Sequence, residues 1–123
     1  MKVFLISVAL FLLLTILVTF SSIFMGLEMK NLADKADEAA LCALSGEDGE
    51  ARLLFCALEK KWEKFHVYLL LSIHHSTLKE IELALTDAKI ALALEKRESF
   101  YSSLTRISKG LSSLSDDLML PAL

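Results

Sequence analysis

The stretch Val3–Leu27, VFLISVALFLLLTILVTFSSIFMGL, decides the fold. It contains no charged residue, no Asn, Gln or His and no Pro, and its polar side chains are small hydroxyls such as Ser7, Thr15, Ser21 and Ser22. Hydroxyls of that kind can bond back to the carbonyls of their own helix. Roughly 25 residues rising ~1.5 Å each make a rod of about 37 Å, which crosses a hydrocarbon layer of about 30 Å with some tilt. In lipid every backbone amide needs an internal partner, and a continuous helix supplies one. The stretch predicts a transmembrane signal-anchor helix over 1–27, with the rest of the chain outside the bilayer.

The competing reading is a cleavable signal peptide. Lys2 and the terminal amine make a small positive start, and Thr19 and Ser21 are small residues at a −3/−1 spacing. The apolar run is longer than the 7–15 residues of an ordinary signal core, and no Ala-x-Ala site closes it. A lipoprotein is disfavoured because no Cys lies near the end of the run. Positive charges at the two ends nearly balance, Lys2 and the amine against Lys30 and Lys35, so they hardly set orientation. The very short N-terminal tail ahead of a whole domain does: it predicts a single-pass cell-membrane protein with its N-terminus inside and its C-terminal domain extracytoplasmic.

Beyond the run, the 123-residue chain has length for one small domain, 28–118, and a short tail, 119–123. The net charge is −3 with both signs interspersed. No basic stripe supports nucleic-acid binding, and no polybasic cluster follows the anchor to favour anionic lipid. A single proline, Pro121, and few glycines leave helix uninterrupted, and strand patterning is missing after Thr19.

Leu32, Ala36, Ala39, Ala40, Ala43 and Leu44 fall at helical spacing, with Asp34, Lys35, Asp37 and Glu38 opposite. This helix is expected to continue straight out of the anchor. The run Ser45-Gly46-Glu47-Asp48-Gly49 stops it, Gly46 suiting the left-handed position after a helix end. So short a turn implies antiparallel neighbours. A second helix over about Glu50–Ile73 has the core face Ala51, Phe55, Leu58, Trp62, Phe65, Leu69 and Ile73. Thr77-Leu78-Lys79-Glu80 fits a capping box and starts a third helix with Leu78, Ile81, Leu85, Ala88 and Leu92 inward. Glu95–Ser99 reads as the next turn. Phe100, Leu104, Ile107, Leu111, Leu114 and Leu118 then form a heptad seam on a fourth helix, with Gly110 weakening it by about 1 kcal/mol relative to Ala. Shifted by seven heptads, the apolar positions of the first hairpin fall on those of the second. A duplicated hairpin would do this, and so would two unrelated hairpins with heptad-like faces. The expected fold is all-α: the transmembrane helix followed by an antiparallel bundle of three to four helices.

With that pattern assembled, the chain resembles DUF4363, a family of uncharacterised small bacterial membrane-anchored helical proteins. The likeness rests on the N-terminal anchor, Trp62-Glu63-Lys64, Ser72-Ile73-His74-His75, and then Leu78, Ile81-Glu82 and Leu85. On that alignment His75 matches the family histidine and His74 replaces an acid. The C-terminal Leu120-Pro121-Ala122-Leu123 departs from the family's Asn-Ile-Leu type of ending. The resemblance implies the anchor-plus-bundle layout of sporulating and related Gram-positive bacteria, and it implies no activity.

Few residues invite chemistry. His74 and His75 are adjacent, so on a helix they diverge by about 100°, and His66 lies more than two turns earlier; no ligand set closes on a metal. The bland role for His75 is a corner residue serving a helix C-terminus, where the dipole favours a cation. Cys42 and Cys56 flank the first turn almost opposite each other, so a disulfide competes with two buried free thiols. No nucleophile–base pair, apolar carboxylate pair or phosphate loop is present; no catalytic residue, cofactor or metal ligand is assigned, and an enzyme is not expected. Trp62 sits in core phase; its alternative is a partner-binding anchor together with Tyr68 and Leu70. The expected function is a non-catalytic membrane-anchored interaction or scaffold protein, touching lipid through Val3–Leu27 and docking a protein partner or a second copy. The alternatives are an extracytoplasmic sensor or ligand-binding module, and a secreted helical protein after cleavage.

Overall fold

The computed structural model describes residues 1–69 and 75–119 and, among these, is all-helical: α1 (Lys2–Leu44), α2 (Asp48–Leu69), α3 (His75–Ala93) and α4 (Arg97–Met119). α1 runs without a break from the apolar stretch into the bundle; it contains no proline, and its one glycine, Gly26, is buried within it. Among the described residues α1 is the one helix long and apolar enough to cross a membrane, and its most apolar window buries nothing within the protein. Thr15 and Thr19 donate to the carbonyls of Phe11 and Thr15, each at 2.9 Å, the back-bonding that lets a hydroxyl sit in apolar surroundings.

The second part of α1 is a core helix. It packs along α2 and, most extensively, along α4; α4 packs along α3, and α2 and α3 meet least. The cause is side-chain size. α1 offers Ala33, Ala36, Ala39, Ala40 and Ala43, and α4 answers with small buried residues such as Ser115, whose hydroxyl reaches the Gly26 carbonyl of α1, so these two backbones approach closely. α2 instead fills the core with Phe55, Leu58, Trp62 and Leu69, which hold it away from α3. Phe55 meets Phe100 edge to face at 5.6 Å, an arrangement worth about 0.5–1.5 kcal/mol beyond burial.

The first turn follows the expected chemistry. Gly46 takes a left-handed φ of 83°, and Glu47 N–H closes on the Cys42 carbonyl at 2.9 Å. The second turn copies it 49 residues later: Glu95 takes φ 57°, and Lys96 N–H closes on the Ala91 carbonyl at 2.9 Å. The two helix starts that follow, Asp48 and Arg97, are joined by an ion pair at 3.1 Å. The shift of seven heptads seen in the sequence therefore extends to the backbone of both turns.

Some boundaries differ from expectation. α3 includes His75, so Thr77 lies inside the first turn rather than at its cap. The second turn is tighter than Glu95–Ser99, because α4 already starts at Arg97. Leu44 is exposed, and Ala33 takes the core position. Ile73, Leu70, His74 and the tail 120–123 lie outside the described residues.

Candidate functional site

The residues singled out from sequence do not converge. Trp62 is buried at 4 % exposure, its ring tilted against His66 at 5.6 Å. It is a core residue, which removes it as an exposed partner anchor. Tyr68 is exposed. His75 is exposed and is the first described residue of α3. Cys42 and Cys56 are both free thiols, Cys42 half-buried and Cys56 exposed. Partial desolvation, then the carboxylates of Glu47 and Glu50, push the Cys42 thiol up from its ordinary range. Among the described residues no three His, Cys, Asp or Glu side chains gather as a metal would need.

What the fold does assemble lies where α1 enters the bundle. Because α2 and α4 run antiparallel to α1, their last turns return to its apolar part. Ser115 donates to the Gly26 carbonyl at 2.6 Å, and Ser22 donates to the Leu118 carbonyl. Beside this seam a groove of about 1110 Å³ runs between α1 and α2, with Leu118 of α4 contributing. At one end lie Leu17, Val18 and Ser21 of α1 facing Tyr68 and Leu69 of α2; at the other lie Glu28, Lys61 and Lys64.

Lys35 adjoins that second end. The Lys61 amine beside it, aided by partial burial, holds the Lys35 ammonium below the ordinary lysine range, against the pull of Glu28 and Glu38. Among the described residues neither Lys61 nor Lys64 is paired with an acid. Lys61 and Lys64 thus sit beside Glu28 at the mouth of an apolar groove, with Lys35 next to Lys61. Neither Lys61 nor Lys64 falls on the core face read from the sequence of this helix. The signal that would have found them is topological: an antiparallel second helix must bring its C-terminal half back to the exit of the apolar run.

A second, smaller cavity of about 350 Å³ at the opposite end is ringed by charges of both signs, among them Asp48, Arg52 and Arg97. It offers no selective chemistry. No family model, no curated protein and no solved structure matches this chain.

Proposed function

We propose that this is a single-pass membrane protein, anchored through Val3–Leu27, whose bundle serves as a non-catalytic interaction or scaffold domain for a protein partner or a second copy. The observation that carries the reading is the division of labour within one uninterrupted helix. The early part of α1 is apolar and covered by no other part of the protein, whereas from Gly26 onward the same helix supplies a bundle core. Apolar surface of that extent is stable only against lipid or another protein. The bundle in turn exposes Leu41, Leu44, Leu53, Ile90 and Leu94 towards its far end, candidates for a partner's contact.

In this reading the bundle lies outside the cytoplasm, and the layout fits the resemblance to DUF4363. The test is labelling of intact cells with a membrane-impermeant thiol reagent, combined with membrane fractionation. Cys56, exposed, should react from outside while the protein stays with the membranes. Reaction only after lysis would place the bundle inside the cell, and a soluble mature form would overturn the anchor. Crosslinking in the same membranes should yield a discrete larger species; a monomer throughout would remove the scaffold role.

A further inference from the structure

We propose that the groove between α1 and α2 is a binding site for one anionic phospholipid of the surrounding bilayer, its acyl chain lying along Leu17, Val18 and Ser21 and its phosphate held by Lys61 and Lys64. The inference rests on the membrane-anchored reading of α1. Three observations bear on the occupant. First, the groove is wide enough, at about 1110 Å³, to take a ligand of drug size or larger. Second, it is polarised along its length. From Glu28 to Leu17 is about 16 Å at ~1.5 Å rise per residue, and over that distance the lining changes from charged side chains, Glu28, Lys61 and Lys64, to uncharged ones, mostly apolar with the small hydroxyls of Ser21 and Ser22.

Third, the polarity has the correct sense for a lipid. The apolar end lies beside the part of α1 that nothing in the protein covers, so in a bilayer it faces hydrocarbon. The lysine end lies a few turns further out, at headgroup depth. A second copy's apolar helix would fill the groove but leave Lys61 and Lys64 without an anion. A phospholipid with net negative charge answers both ends. It would also relieve the crowding of Lys35 against Lys61 by placing a phosphate between like charges.

The experiment uses the full chain reconstituted into vesicles of phosphatidylcholine, with and without phosphatidylglycerol, followed by flotation and by native mass spectrometry of the gently extracted protein. Flotation with phosphatidylcholine alone reports the anchor; a chain that stays at the bottom sinks the anchored reading itself. Given flotation, the wild type should retain one phosphatidylglycerol in preference to phosphatidylcholine. Lys61→Gln with Lys64→Gln, both at exposed positions, should lower that retention at least about tenfold. Ser21→Trp, which plugs the apolar end, should abolish it while flotation persists. Equal retention of the two lipids, or retention unchanged in both variants, would overturn the proposal. So would a rise in melting temperature produced by inorganic phosphate alone, which marks a free-anion site. A crosslinked dimer joined through Val18 and Tyr68 would show that a second copy covers the groove.

Discussion

Gly110 shows what a single residue can conceal. By propensity it weakens α4, and Gly110→Ala would be expected to stabilise the helix by about 1 kcal/mol. In the bundle, a Cβ at this position would lie 2.7 Å from Cγ1 of Ile81, itself a fully buried core side chain. Overpacking of that kind costs about 1–3 kcal/mol, so the clash wins. Gly110→Ala should lower the denaturation midpoint, and pairing it with Ile81→Ala should cost less than the two changes summed. Glu95 poses the converse case. It holds φ 57° where the equivalent turn uses Gly46, so Glu95→Gly should raise the melting temperature by the equivalent of roughly 0.5–1 kcal/mol, whereas Gly46→Ala should lower it. At Cys42 the raised thiol pKa means less thiolate at any given pH near neutrality. Its alkylation should lag behind that of Cys56, and the midpoint of its rate–pH curve should lie at higher pH than that of a free thiol. Replacing Glu47 and Glu50 by Gln should move the curve part of the way back down.

At the scale of the helices, the seam between α1 and α4 is built from small residues. Ser115 and Gly26 allow a side-chain-to-carbonyl bond across it, and a Cβ on Gly26 would meet Met119 at 2.6 Å and the Ser115 carbonyl at 3.3 Å. Ser115→Ala should cost about 1 kcal/mol for the lost bond. Gly26→Leu should cost more, separating the end of α4 from α1 and exposing its last turns to proteolysis. Thermal melts of the full chain in micelles read both. Much at this scale was legible beforehand. Long apolar periodicity, the Gly46 stop and the α4 heptads each express a local rule that tertiary packing reinforces. The Thr77 capping box misled, because a Thr and a Glu three residues apart also occur inside a helix. The α1–α4 seam was illegible, since Ser115 looks polar until a partner helix of small residues is known to lie against it.

For the molecule as a whole, the two hairpins share their turn geometry but not their packing. On the α2–α3 side, contact is left to long side chains: His66 Nε2 with Glu82 at 2.7 Å and Lys89 with Glu59 at 3.8 Å. These are partly exposed pairs, and surface pairs are worth about 0–1 kcal/mol. Glu59→Gln with Glu82→Gln should therefore shift stability by less than about 1 kcal/mol, against roughly 3–5 kcal/mol for Trp62→Ala in the core. Urea titrations of the three proteins decide it, and a large loss from the charge variants would mean that α2 and α3 are packed more tightly than their side chains indicate. The groove, too, belongs to this scale. Its lysines and its apolar wall are remote in sequence, and only the antiparallel return of α2 makes them neighbours. This is why reading the chain in order passed over it.

The uninterrupted α1 also makes the protein a ruler. With no joint between the apolar rod and the bundle, the far turns cannot swing towards the surface that holds the rod. From Ser22 to Leu44 the helix rises about 33 Å at ~1.5 Å per residue. In the proposed membrane-anchored arrangement, a partner docking on Leu41 and Leu44 would be met at that height. Inserting a flexible glycine linker after Leu27 would leave every surface chemically intact and remove only the measured distance.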